Sequence, residues 1–147
     1  MSVIRVTREF TFEMAHILGG YDGPCRNLHG HSYKLFVTLI GSPNTDKENP
    51  KQGMVMDFSV MKKIVLEEVV DKFDHSIVLN REYPKLNILN DNFEHVNIVD
   101  FQPTCENLIA YFASQLQDKF PEGIKLYSLK LYETAKLFAE WYASDNE

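Results

Sequence analysis

The chain is poor in cysteine: Cys25 and Cys105 are its only two, and they lie far apart in sequence. That is no disulfide framework, and it suits a reducing compartment. No apolar run approaches 18 residues, so no segment reads as a transmembrane helix. Met1 to Phe12 carries Arg5, Arg8 and Glu9 within an alternating pattern, and therefore lacks the apolar centre of a signal peptide. The expected location is the cytoplasm. Positive charge is also short: 15 Lys and Arg stand against 21 Asp and Glu, a net charge of -6. This removes any general attraction to nucleic-acid phosphates or anionic lipid. Internal repeats, linkers and low-complexity tracts are missing as well, and 44% hydrophobic residues in 147 can bury a sizeable core. One globular domain spanning residues 1–147 is expected.

What is present is patterned. Between Val3 and His16 the even positions include Ile4, Val6, Phe10, Phe12 and Met14, while the odd ones include Arg5, Thr7, Thr11 and Glu13. Period two predicts a strand. Gly19, Gly20, Asp22, Gly23 and Pro24 then mark a turn before a β-rich run from His31 to Ile40, which predicts an antiparallel partner. Apolar residues at 60, 61, 64, 65, 69 and 73 have helical spacing, with Asp57 or Ser59 as N-cap. Residues 80–103 show no sustained period and read as a long loop. A second amphipathic helix begins near Thr104, and Ile124 to Ala143 reads as two strands joined near Thr134 to Lys136. The resulting order, ββα, loop, αββ, predicts an α+β fold with both helices on one face of an antiparallel sheet.

The residues with chemical potential cluster in a few short segments. His29-Gly30-His31 puts two imidazoles on one side of an extended backbone, spacing that suits two ligands of one metal. Taken alone the tripeptide is a weak signal, since a turn more often contains two histidines by chance. His16 changes the balance, because it ends the strand expected to pair with the one beginning at His31. Three neutral imidazoles without an obvious fourth ligand describe an open zinc site. Cys25, four residues before His29, is readable as a nucleophile or proton acceptor, as a fourth zinc ligand, or as an incidental loop thiol. Asp74-His75 can act as a carboxylate-oriented imidazole, although the dipeptide alone is uninformative. Glu133 shares parity with Tyr127, Leu129 and Leu131, so its carboxylate either meets donors from a ligand or turns to solvent at the strand end. Thr104-Cys105-Glu106 has the form of a capped helix start.

Taken together, F-E-M-A-H around His16, C-R-N-L-H-G-H from Cys25, G-M-V-M-D-F from Gly53, F-D-H from Phe73, P-T-C-E-N from Pro103 and L-Y-E-T from Leu131 resemble the 6-pyruvoyltetrahydropterin synthase family. The motifs occur in family order over nearly the whole chain. The resemblance implies a T-fold: a four-stranded antiparallel sheet with two helices on one face, assembled into trimers whose sheets form a barrel, commonly paired as homohexamers. It implies zinc on His16, His29 and His31, with Cys25 as proton acceptor and Asp74 and His75 as its relay. Glu133 would anchor the pterin and share in the relay, while Thr104, Cys105 and Glu106 help hold the ring in a pocket built from neighbouring subunits.

Three residues separate Cys25 from the H-G-H, which resembles the 6-carboxytetrahydropterin synthases of 7-deazaguanine (queuosine) biosynthesis; animal pyruvoyl enzymes have a longer interval. That resemblance implies a lyase converting 7,8-dihydroneopterin triphosphate and water to 6-carboxytetrahydropterin, acetaldehyde and triphosphate. The alternatives are 6-pyruvoyltetrahydropterin synthesis, which keeps all side-chain carbons, and a non-catalytic zinc or pterin-binding module. The latter would have no use for Cys25 together with Asp74-His75.

Overall fold

The computed structural model describes residues 2–147. Strand β1 (Ile4–His16) runs antiparallel to β2 (His29–Gly41) in unbroken register, from Ile4 opposite Gly41 to His16 opposite His29. Side chains alternate as the sequence requires: Phe10, Phe12 and Met14 of β1 and Tyr33, Leu35, Val37 and Leu39 of β2 are buried on one face. The β5 (Lys125–Tyr132) and β6 (Phe138–Tyr142) hairpin continues the sheet from β2, all antiparallel. Its turn is held by Thr134, whose Oγ1 accepts from the amides of Lys136 at 3.2 Å and Leu137 at 3.1 Å.

Two expectations need correction here. The sheet has six strands, in the order β4-β3-β1-β2-β5-β6, and it is mixed. Strand β3 (Ser76–Asn80) lies parallel to the end of β1, and β4 (Val96–Val99) lies parallel to β3. The four antiparallel strands are therefore the centre and one edge of a wider sheet. Residues 80–103 are not a bare loop: they hold α3 (Leu86–Asn92) and β4. The second correction concerns β5, where a bulge opposite Thr38 and Leu39 makes Tyr127 the extra residue. Leu126 rather than Tyr127 is buried, and the Tyr127 ring instead lies under Arg5, whose guanidinium carbon is 4.0 Å from the ring centroid. Parity is restored beyond the bulge, so Leu129, Leu131 and Glu133 do share a side.

The main helices cover the buried face. Helix α1 (Phe58–Val65) is capped by Asp57, which accepts from the Ser59 amide, and continues through a π turn (Leu66–Val70) into α2 (Asp71–Phe73). Helix α4 (Cys105–Leu116) is capped by Thr104, accepting from the Asn107 amide at 3.2 Å. Met61, Val65, Val69, Phe73, Leu108, Phe112 and Leu116 from these segments join the strands in one apolar cluster. Val60, in the predicted apolar face, is exposed instead. No helix among the described residues is long and apolar enough to cross a membrane.

Phe112 ties the helix layer to the sheet, meeting Phe12 edge-on at 6.0 Å and Phe73 at 5.3 Å between ring centroids. Phe112→Ala is expected to lower stability by about 3–5 kcal/mol, and Phe112→Leu by less, because the smaller deletion leaves a smaller void. Urea unfolding followed by circular dichroism measures both.

Candidate metal and ligand site

The β1–β2 register dictates where the histidines meet. His16 sits directly opposite His29, and Met14 opposite His31, so two residues along β2 and the last residue of β1 share one face at one end of the sheet. Their nearest ring nitrogens lie within 4.8 Å of one another. Zinc-nitrogen bonds of about 2.0–2.1 Å at tetrahedral angles need neighbouring nitrogens roughly 3.3 Å apart, so the cluster is of suitable size.

Their hydrogen bonds also select the ligand atom. His16 Nδ1 donates to the Pro103 carbonyl at 2.7 Å, and His29 Nδ1 donates to the Asn27 carbonyl at 2.7 Å. With those tautomers both Nε2 atoms present lone pairs, yet they stand 3.0 Å apart. Two facing lone pairs require an electrophile between or beside them. His31 Nε2 is buried and has no hydrogen-bond partner. The three nitrogens fit a divalent metal of the zinc type, which would take all three lone pairs.

The Glu133 carboxylate lies beside this cluster, Oε1 being 3.5 Å from His16 Nε2 and 3.7 Å from His31 Nε2. The start of α4 covers the same region. Cys105 is buried and donates from Sγ to the Leu131 carbonyl at 3.4 Å, while Gln102 Nε2 donates to the Gly19 carbonyl at 2.9 Å. Burial, with Glu133 nearby, pushes the Cys105 thiol up to about 12, so it remains protonated. Thr104 caps the helix, and Glu106 is exposed in its first turn.

The remaining predicted residues are placed differently. Cys25 lies half-buried in a short 3-10 turn (Pro24–Arg26), and its carbonyl accepts from the Leu18 amide at 2.9 Å. Asp74 and His75 do form a pair: His75 Nδ1 is 2.9 Å from Asp74 Oδ1, which also accepts from the Glu13 amide at 2.9 Å. His75 adopts φ 59, a left-handed conformation, fixed by its amide donating to the Glu13 carbonyl at 2.6 Å. Its ring is 76% exposed and borders a cavity of about 400 Å³ beside Glu13, Ala15 and Ser32, which alternate with the histidine-bearing row. Among the described residues no hydrogen bond or ion pair joins this pair to Cys25.

Sequence reasoning passed over Tyr33. It is fully buried, stacks on Phe12 at 5.2 Å and meets the His31 ring edge-on at 5.7 Å. Its parity with His29 and His31 was the available signal. Burial, then the charge of Glu133, pushes its phenol far above the usual range, so it is a hydrogen-bond donor at any working pH.

Burial lowers His16 to about 4 in the metal-free chain; its bond to Pro103 opposes this, and His29 and His31 add to it. Between pH 6.5 and 4 the unfolded chain then binds a proton that the folded chain does not. Stability is full above pH 6.5 and falls as the pH drops toward 4. The expected loss for the metal-free chain is of order 3 kcal/mol, read from urea midpoints across that range.

Known proteins share the sequence pattern and the fold of this chain over nearly its whole length. The sequence profile of the family described as 6-pyruvoyl tetrahydropterin synthase matches residues 5–144. The chain is 34% identical over 143 residues to the 6-carboxy-5,6,7,8-tetrahydropterin synthase of Haemophilus influenzae, covering 95% of this chain and 99% of that protein. It is 31% identical over 138 residues to the Synechocystis protein of the same name, covering 94% and 92%. In structure it resembles the Caenorhabditis elegans 6-pyruvoyl tetrahydropterin synthase, with a TM-score of 0.68, 25% identity and 97% of each chain covered. An uncharacterized Wolinella succinogenes protein superimposes with a TM-score of 0.76 at 23% identity over 97% of this chain and 99% of that one, a likeness of fold. The chain belongs to the 6-pyruvoyl tetrahydropterin synthase family.

Proposed function

We propose that the chain is a zinc-dependent 6-carboxytetrahydropterin synthase, converting 7,8-dihydroneopterin triphosphate and water to 6-carboxytetrahydropterin, acetaldehyde and triphosphate. The observation that carries it is the convergence of His16, His29 and His31, the first two with Nε2 lone pairs turned inward and the third with an unpartnered Nε2, in a chain whose curated relatives include 6-carboxy-5,6,7,8-tetrahydropterin synthases. The short interval from Cys25 to His29 supports the carboxy product over the pyruvoyl one.

His16, His29 and His31 hold the metal. When bound, zinc supplies Lewis acidity toward the hydroxyls of the substrate side chain. Glu133, at the edge of the histidine cluster and 15% exposed, accepts from the N–H groups of the pterin ring, which offset the desolvation of its carboxylate. Thr104, Cys105 and Glu106 line the ring from the start of α4. Cys25 exchanges protons at the side-chain carbons, with Glu133 sharing in the relay. Asp74 orients the His75 ring through its Nδ1–H and stabilises it when protonated, so His75 passes protons on.

Among the described residues no hydrogen bond or ion pair joins the relay pair to Cys25, and the His75 ring is open to solvent. This supports assembly of the site between subunits, with His75 of one chain reaching Cys25 of another. The outward sheet face carries Phe36, Tyr132, Phe138 and Tyr142 among its polar residues, and β4 and β6 leave open edges. A homo-oligomeric barrel, trimer or hexamer, would cover both. Residues 1–147 then form a single catalytic domain in the cytoplasm, acting on a small pterin and not on nucleic acid or membrane.

Zinc-loaded protein incubated with 7,8-dihydroneopterin triphosphate is expected to release acetaldehyde and a 6-carboxy pterin in equal amounts. A pyruvoyl product without acetaldehyde would move the chain to the other activity of the family. Cys25→Ala should reduce turnover by about 10²–10⁴-fold, the usual contribution of a proton-transfer group, while keeping its zinc. Zinc lost along with activity in this variant would make Cys25 a ligand instead.

A further inference from the structure

Tyr33 and Glu133 form a pair that neither residue explains alone. Both lie against the same two imidazoles: Glu133 Oε1 is 3.5 Å from His16 Nε2 and 3.7 Å from His31 Nε2, and the Tyr33 ring centroid is 6.4 Å and 5.7 Å from the centroids of those rings. Across β1, Tyr33 stands opposite Phe12 on the buried face, and Glu133 follows the last residue of β5 beside the histidines.

The polar groups of this pair are incomplete. The Tyr33 hydroxyl is buried with no hydrogen-bond partner; His31 Nε2 is its only companion in that state among the described side chains. Leaving such a group unpaired costs free energy, and orphaned buried polar groups are uncommon. Glu133, for its part, approaches only ring nitrogens, His16 Nε2 and His31 Nε2, and among the described residues no side-chain hydroxyl or amide donates to it. With His16 in the tautomer fixed by Pro103, that Nε2 offers a lone pair, which repels a carboxylate. The pair therefore contains a donor lacking an acceptor and an acceptor lacking a donor.

We propose that the Tyr33 hydroxyl donates to the Glu133 carboxylate when the site is filled, making Tyr33 the positioning residue that aims Glu133 at its ligand. With a metal on those nitrogens neither imidazole could donate a proton to Glu133 through Nε2, and the unpaired Tyr33 hydroxyl, which lies against the same His31 ring, is a donor left for one carboxylate oxygen. One carboxylate oxygen is then fixed by Tyr33, leaving the other to accept from a flat ring bearing adjacent N–H groups. Stacking on Phe12 and edge contact with His31 hold the Tyr33 ring in place, so the donor needs no ordering when the ligand arrives.

This inference rests on Glu133 being the ligand anchor, and the test separates the two claims. Zinc-loaded wild type, Tyr33→Phe, Glu133→Gln and the double variant are titrated with neopterin, followed by quenching of its fluorescence, alongside zinc analysis and thermal unfolding of each metal-free chain. Tyr33→Phe is expected to bind neopterin roughly tenfold or more weakly with its zinc content unchanged. Its metal-free melting temperature should be equal or higher, since the phenol makes no bond there. The double variant should bind no more weakly than Glu133→Gln alone. Wild-type affinity in Tyr33→Phe beside a weakened Glu133→Gln overturns the role of Tyr33 only. A lower melting temperature in metal-free Tyr33→Phe, or fully additive losses, also overturns it by making the phenol structural. Wild-type affinity in Glu133→Gln removes the anchor, and this inference with it.

Discussion

The pairing of His16 with His29 across β1 and β2 is the constraint on which the rest of the site depends. Strand side chains alternate, so a slip of one residue in this register would send an entire row to the other face. The thirteen paired positions from Ile4 to His16 make such a slip costly, because it would also expose Phe10, Phe12 and Met14. The meeting of the three imidazoles is thus a by-product of core burial some distance away. Burying three apolar side chains of β1 fixes the imidazole at its end.

A second constraint acts on atoms within the rings. The Pro103 and Asn27 carbonyls each take an Nδ1 proton, so His16 and His29 turn their Nε2 lone pairs toward one another. Pro103 is available because α4 begins at Cys105 and is capped by Thr104, while Gln102 ties the approach to Gly19. The helix start therefore has two tasks, closing the apolar core through Leu108 and Phe112 and presenting one carbonyl to a ring nitrogen. A metal bound there would meet prepared ligands, and desolvation of His16 already disfavours the competing proton.

Much of this was legible in the sequence because it is local. Period two in β1 and β2, the Asp57 and Thr104 caps, the hairpin around Thr134 to Lys136 and the histidine cluster are all stated by neighbouring residues. What escaped depends on distant partners. Strand β4 has four residues, three of them half-buried, and exists because β3 lies beside it; α3 buries none of its seven residues. Neither has a periodic signature of its own, so 80–103 reads as a loop. The bulge at Tyr127 is invisible for the same reason, since only the β2 partner reveals the extra residue. Tyr33 was overlooked because an aromatic in a strand ordinarily needs no explanation beyond packing. Its unpaired hydroxyl is a fact of three dimensions.

The same logic separates the two halves of the proposed chemistry. The histidines and Glu133 lie on the buried row and are set by the chain's own core, whereas His75 is held by backbone bonds to Glu13 at the entry to β3. That anchoring fixes where the ring starts but leaves it open to solvent. In the proposed homo-oligomer another copy would bring its loop from Pro24 to Arg26 alongside, and the proposed relay would then span the interface.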